Sequence, residues 1–489
     1  MRRSALLAAR RASFATSVDA VNPYTGSVAA SVPADDDIAL ARKFVRATEA
    51  QARWRETPMG ERVACVERYA ELLRGEADAA ALEVTTEMGK PLAQARSEVL
   101  AACRRATELA RLALDTFGVD EGASPRLRPR VVRENARVVE TVEFEPVGIV
   151  AHVSAWNYPH LLAANVLAPA LAVGAVALHK PSETTPSVGA RVERLLRDAG
   201  VPDGVFQTCQ GGPAVGRALA SLRGVGALAF TGSRRSGRDA ARAAALAETP
   251  RTVLELGGND AAYVREDIEN VVDAARSIAD GAFLNAGQGC CAVERVYCHA
   301  AVADAFVDAF LERASTFVAG DPTDSRTTLG PMAKADGPRR VAAHVAEAVE
   351  TGAKILYEGA LPADANGSFH PVTVIGGDAL RGSQRARALT RDETFGPVVA
   401  LVVVDDDEEA VEAMADTSFG LTASVYTSNA EVGTRLLRRL NVGTGYVNAC
   451  NATSGALPWG GRAGSGHGAT LGREGVETFV RHKSMHARR

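Results

Sequence analysis

From Gly148 onward the chain alternates short apolar runs with helix-like ones, and a loop separates each run from the helix that follows. Residues 148–153 read as a strand, 165–173 as a helix and 175–178 as a second strand. Residues 187–199 form a helix, 204–207 a third strand and 227–230 a fourth, with Thr231, Gly232 and Ser233 leading into another helix. Apolar runs without alternation suit strands covered on both faces. Repeated strand–helix units of this kind demand an α/β fold with a parallel sheet and helices on both sides. Ligands of such sheets lie beyond the carboxyl ends of the strands, so the loops there are where chemistry is sought.

The rest of the chain has other textures. Its 489 residues exceed what one core supports, so two or three domains are expected. Before the repeats, a turn at Asn22–Gly26 precedes an Ala-, Arg- and Glu-rich stretch to about Phe117. There Val63, Val66, Tyr69, Leu72 and Leu73 recur at helical spacing and Gly60, Gly75 and Gly89 punctuate three or four helices. Its Arg and Glu residues read as solvated surface without chemistry. Residues 126–145 hold two short β-runs joined near Asn135, a hairpin that reads as a projecting arm, and 478–486 looks strand-like as well.

Several function classes are excluded. A net charge of −4 offers no footprint for nucleic acid. The richest apolar run, 161–178, is broken by Asn165, Pro169 and Gly174, so no membrane partner is expected. Seven cysteines show no metal-type spacing, and His482 and His486 lack the Glu of a zinc-protease helix; no metal site is expected. Residues 1–18 carry Arg2, Arg3, Arg10 and Arg11, four hydroxyl residues and no acid. That composition is a mitochondrial transit peptide's, so a matrix location is expected, with the cytoplasm as the alternative.

The loops carry the chemical candidates. Cys290 and Cys291 follow Gly287, Gln288 and Gly289, where small residues let another molecule approach a thiol; Gln288 reads as a spacer. Asn157, in Trp156–Pro159, offers a neutral donor for an oxyanion. Glu255 sits in an apolar, glycine-bounded setting that raises a carboxylate's pKa toward a base's. No Gly-x-Gly-x-x-Gly follows any strand; the match at Gly464, Gly466 and Gly468 lies too near the C-terminus. Gly232 and Ser233 instead open a helix whose free N–H groups suit a pyrophosphate. Lys180 and Glu183 suit ribose hydroxyls, and Glu183 would repel a 2′-phosphate, favouring NAD over NADP.

Taken together, seven ordered motifs resemble those of the aldehyde dehydrogenase superfamily: Trp156–Pro159, Lys180–Glu183, Phe230–Ser233, Leu254–Gly258, Phe283–Cys290, Glu393–Pro397 and Pro458–Gly461. The resemblance implies a Rossmann-like NAD-binding domain (19–125 and 147–254), an α/β catalytic domain (255–452) and a small β oligomerisation arm (126–146 and 476–487) that builds a homodimer or homotetramer. It implies that Cys290 attacks a small-molecule aldehyde, Asn157 holds the oxyanion and Glu255 activates the hydrolytic water. Trp156, Gly232 and Ser233 would hold the pyrophosphate, Lys180 and Glu183 the adenosine ribose, and Glu393 and Phe395 the nicotinamide side. Tyr158, Leu162, Asn165, Gly289 and Thr453 would line the aldehyde tunnel, a small and moderately polar set. No Arg stands among them, which disfavours semialdehyde acids. Ala415, Asn259 and Ala463 depart from the family pattern outside the chemical groups. A coenzyme A-acylating enzyme and a catalytically silent relative are the alternatives; the presence of Glu255 disfavours the first and the intact Cys290, Asn157 and Glu255 the second.

Overall fold

The computed structural model describes residues 15–363, 365, 368–382 and 386–489. Residues 1–14, most of the expected leader, lie outside the described residues. Two of the leader's last residues do not: Ser17 and Val18 already pair with Pro33 and Val32, and Val18 is buried. The first described strand therefore overlaps the expected leader, with Val18 buried in it.

A ribbon of β1 (Ser17–Val21) and β2 (Val28–Pro33) comes first. It is followed by four helices, α1 (Asp37–Trp54), α2 (Met59–Gly75), α3 (Ala77–Met88) and α4 (Leu92–Phe117). The hairpin β3 (Arg130–Glu134) and β4 (Val138–Pro146) comes next. Then come β5 (Ile149–Val153), α5 (Pro159–Ala172), β6 (Val176–Lys180), α6 (Pro186–Asp198) and β7 (Phe206–Thr208), followed by α7 (Pro213–Ala220), β8 (Val225–Thr231), α8 (Arg234–Leu246) and β9 (Thr252–Glu255). The second half supplies β10 (Asp260–Val264), α9 (Val271–Phe283), β11 (Val293–His299), β12 (Lys354–Glu358), β13 (Thr373–Gly376), β14 (Val398–Val404), β15 (Thr422–Tyr426) and β16 (Thr444–Val447). The short β17 (Gly466–His467) and the long β18 (Val480–Arg488) close the chain.

Three further sheets result. The first runs β17-β9-β8-β5-β6-β7, parallel except for β17, and the second β12-β13-β14-β11-β10-β15-β16, parallel except for β12. The third is an antiparallel sheet of β18, β4 and β3. The central strands β5 and β6 are buried at every position, as the unbroken apolar runs require. This is the α/β architecture expected. Helix α5 starts six residues earlier than the apolar pattern suggested, because Pro159 at its first turn has its φ already set for a helix and no N–H to leave unbonded.

α5 carries two of the candidate residues, Leu162 and Asn165, and follows directly on Tyr158; its far end is held by α1 and α2. Trp54 Nε1 donates to the Leu171 carbonyl at 3.0 Å and Arg62 Nε to the Ala172 carbonyl at 2.9 Å. Arg62 also reaches the Thr57 carbonyl at 2.5 Å through Nη1. A buried cation at a helix C-terminus satisfies orphan carbonyls and opposes the negative end of the dipole. Burial still pulls the Arg62 pKa down to about 10, with Glu56 raising it in part. Replacing Arg62 by Met should lower unfolding free energy by about 2–4 kcal/mol, the cost of leaving these carbonyls unpaired. A urea titration checks it; a loss below about 0.5 kcal/mol would mean that the cap is dispensable.

Candidate active site

Strand ends and loops meet at one cleft of about 360 Å³. Trp156, Asn157, Tyr158 and Leu162 enter it from the turn after β5 and the first turns of α5. Gly232 and Ser233 enter from the end of β8, Glu255 from the end of β9, and Cys290 from the loop after α9. Glu393 and Phe395 close the other side, and Lys334 and Arg340 also face the cleft. All three proposed chemical groups thus line one space.

The two cysteines separate by environment. Cys290 lines the cleft and is partly exposed, whereas Cys291 is buried and its Sγ lies 3.0 Å from Asn451 Oδ1. Cys290 is held firmly in its thiol form: the Cys291 side chain, burial and the charges of Cys291, Glu255 and Asp260 all raise its pKa. Glu255 is 6% exposed and accepts from Thr470 Oγ1. Burial lifts its pKa to about 7 against the lowering by Thr470 and Arg105, which places a base at the working range of neutral chemistry.

Two glycines let these loops interlock. A Cβ on Gly258 would stand 2.2 Å from the Cys290 carbonyl oxygen, and one on Gly257 2.3 Å from the Glu393 carboxylate. Glu393 accepts from Gly258 N at 2.9 Å, and burial, followed by Glu294, raises its pKa to about 8. Glu294 fixes the same loop by accepting from Thr394 N and Phe395 N. Trp156 meets the Phe395 ring edge-on at 5.7 Å. Gly287 is a correction: its space, read as room for a ligand, is filled by the Gly396 carbonyl, 2.2 Å from where a Cβ would sit. Gln288 is more than a spacer. Its Oε1 accepts from Ala333 N at 2.9 Å, its Nε2 donates to the Asn285 carbonyl, and its own carbonyl accepts from Asn157 Nδ2.

The cofactor candidates fit a dinucleotide. Ser233 caps α8, its side chain accepting from Ser236 N, so the first turn of the helix points its N–H groups beside Gly232. Lys180 and Glu183 do not line the cleft. The Lys180 ammonium donates to the Pro181 carbonyl and lies 3.4 Å from Glu183 Oε2, while Lys334 lies 3.5 Å from Glu183 Oε1.

The tunnel candidates divide. Tyr158 and Leu162 line the cleft; Asn165, Gly289 and Thr453 do not. Gly289 packs beside Tyr158, whose Cε2 would be 3.9 Å from a Cβ there. Asn165 and Thr453 are both engaged by Arg105 from α4, which fills the space between them. The expectation that no Arg stands near this set is therefore overturned. So is the reading of the early helices as bare solvated surface. Lys90 and Glu98 are each 1% exposed, bond one another, and grip the loop that carries Asn157. Lys90 Nζ donates to the Asn157 carbonyl at 2.6 Å and sits 3.9 Å from the Tyr158 ring centre; Glu98 accepts from His160 N. The one local signal was a lysine and a proline following the helix-ending Gly89.

This geometry belongs to a dehydrogenase. The model of the aldehyde dehydrogenase family matches residues 10–485, and the chain belongs to that family. It is 33% identical to the succinate-semialdehyde dehydrogenase [NADP(+)] of Deinococcus radiodurans, over 96% of this chain and 94% of that one. Among solved structures, an E. coli NADP-dependent enzyme superposes with a TM-score of 0.90 at 28% identity, covering 97% of this chain and 95% of its own. PnpE from Pseudomonas sp. WBC-3, in complex with nicotinamide adenine dinucleotide, does so with 0.89 at 29%, covering 96% and 94%. The chain is an aldehyde dehydrogenase that uses a nicotinamide dinucleotide.

Lys90 and Glu98 should act through Asn157. Lys90→Met is expected to lower kcat at least about tenfold, less than the loss on deleting an oxyanion donor itself, with the dinucleotide Kd changed less than about twofold. Steady-state kinetics beside fluorescence titration decide; a Kd that worsens as much as kcat would assign the pair a purely structural part.

Proposed function

We propose that this enzyme oxidises a small polar aldehyde to its carboxylic acid, with Cys290 as nucleophile, Asn157 as oxyanion donor and Glu255 as hydrolytic base. The observation that carries the reading is that these three groups line one cleft while Cys291 is turned to Asn451. Attack by Cys290 sulfur on the aldehyde carbon, with the thiol proton lost to water, makes a thiohemiacetal whose oxyanion the Asn157 amide would receive. The dinucleotide, when bound, supplies the hydride acceptor. Helix α8, Gly232 and Ser233 would hold its pyrophosphate; Glu393 and Phe395 would flank its nicotinamide end. Glu255 then takes the proton of the water that hydrolyses the thioester. Because only its carboxylate form can do so and burial raises its pKa to about 7, acid release should fall as pH drops through 7 and level off above it. No coenzyme A is required.

NAD is the proposed partner in preference to NADP, although the Deinococcus relative is named for NADP(+). Burial acts to raise the Glu183 pKa, but Lys180 and Lys334 outweigh it and the net shift is downward, so the carboxylate stays ionised. The ionised Glu183 can accept from both ribose hydroxyls, an interaction that a 2′-phosphate would remove, even with Lys180 and Lys334 offsetting its charge. The same relative is named for succinate semialdehyde, an aldehyde that carries a carboxylate.

Cys290→Ala should abolish NAD(P)H formation and retain dinucleotide binding, whereas Cys291→Ala should stay active; the reverse would move the nucleophile. Glu255→Gln should release a burst of about one NAD(P)H per site and then stall, since acylation survives and hydrolysis does not. Strict dependence on coenzyme A would sink the hydrolytic route. Glu183→Gln should lower the NAD-to-NADP ratio of kcat/KM by about tenfold, equivalent to ~1.4 kcal/mol; an unchanged ratio would remove Glu183 as the discriminator.

A further inference from the structure

Most buried cations in this protein are met by a carboxylate or by a set of carbonyls. Lys90 has Glu98, Arg191 has Glu76 and Glu83, and Arg295 has the carbonyls of Asn259, Ala413 and Met414. Arg105, like Arg295, is met by neutral groups, but by fewer of them: three hydrogen bonds against five. Its side chain is 8% exposed, and its hydrogen bonds go to neutral groups: Nη1 to Asn165 Oδ1 at 3.1 Å, Nη2 to the Thr453 carbonyl at 3.1 Å and to Thr453 Oγ1 at 3.0 Å. Among the described residues its one carboxylate neighbour is Glu108, 3.8 Å from Nε, and that side chain is 57% exposed. A buried guanidinium held in a fixed orientation by neutral partners is costly unless an anion completes it.

Its position says which anion. Tyr158 immediately precedes α5, and Leu162 and Asn165 are spaced to share one face of it. The first two line the cleft beside Cys290, and the third is the residue that Arg105 holds. From Leu162 to Asn165 the helix rises about 4.5 Å, the scale of a short aliphatic chain. Burial lowers the Arg105 pKa while Glu108 and Glu255 raise it, so the cation lies within electrostatic reach of Glu255 in the cleft.

We propose that Arg105 is the specificity-determining residue of this enzyme and that its substrates are short aldehyde acids, bound with the aldehyde at Cys290 and the carboxylate on the Arg105 guanidinium. Asn165 and Thr453 are positioning residues that hold the guanidinium for it. The inference rests on the aldehyde-oxidising reading above and adds the substrate class. It also reverses the reading that tunnel residues without Arg disfavour semialdehyde acids, because the Arg comes from a helix remote in sequence.

The test compares succinate semialdehyde with butanal, its neutral counterpart of equal length, in the full-length enzyme with saturating dinucleotide. The unaltered enzyme should favour the acid in kcat/KM by at least about tenfold. Arg105→Gln should cut the acid-to-neutral ratio by about 10- to 100-fold, the span for a lost hydrogen bond to a charged group, chiefly through KM, and Arg105→Lys should fall between. Oxidation of butanal as well as or better than the acid by the unaltered enzyme would overturn the proposal and leave the dehydrogenase reading standing. So would an equal loss on both substrates in Arg105→Gln, the mark of a residue that merely staples the Thr453 loop to α4. No NAD(P)H from any aldehyde would overturn both readings. If Arg105→Gln does not fold, the unaltered enzyme still decides: succinate should compete with substrate at least about tenfold better than butyrate, and equal inhibition by the two counts against the proposal.

Discussion

The ion pair between Lys90 and Glu98 is the constraint on which the active site depends. Removing two charges from water costs several kcal/mol per ion, and their mutual attraction rarely repays it alone. Here each ion makes a second bond, Lys90 to the Asn157 carbonyl and Glu98 to His160 N. Those bonds fix the backbone on both sides of Tyr158, where β5 gives way to α5. Asn157, the proposed oxyanion donor, is therefore held firmly although it lies in a loop. Asn285 adds a donor to the same Asn157 carbonyl, tying this junction to the loop that carries Cys290. The cost of burying the pair is offset by order at the place where a misplaced amide would be most harmful.

Helix α4 extends this logic along α5. Glu98 and Arg105 are seven residues apart on α4 and meet His160 and Asn165 of α5, so one face of one helix supplies both contacts. The first contact fixes the backbone beside Asn157. The second fixes the guanidinium of Arg105 against the next turns of the same helix. Arg62, on α2, holds the other end of α5. A single helix is thus pinned at its start, along its side and at its end by three buried charges from the helical segment.

That segment is where sequence reading failed, and the reason is physical. The strands of the first sheet were legible because burial on both faces leaves unbroken apolar runs, as at Val176–Lys180. The candidate Cys290, Glu255 and Asn157 were legible because they end strands or follow turns and have small neighbours: Gly258 must be glycine since the Cys290 carbonyl occupies its Cβ site. Lys90, Glu98 and Arg105 have no such local mark. In an amphipathic helix a buried charge and a solvated one obey the same spacing, and only the element packed against them distinguishes the two. Asn165 and Thr453 show the converse error. They lie near the expected tunnel, but the side chain that bears the charge lies 60 residues before Asn165.

The distribution of charge in the finished cleft follows from burial acting unequally. Glu255 is raised to about 7, Glu393 to about 8 and nearby Asp260 to about 7, and Cys290 is raised as well. Near neutrality these groups hold much of their proton complement, so the reacting centre presents little net negative charge. The cations lie at its margins: Lys334 and Arg340 face the cleft, and Arg105 lies along α5. A site arranged this way admits an anionic dinucleotide without the repulsion that three ionised carboxylates would impose. It also keeps the Cys290 thiol protonated at rest. The same burial that makes the acids reluctant to ionise brings Glu255 to the range that the proposed base requires.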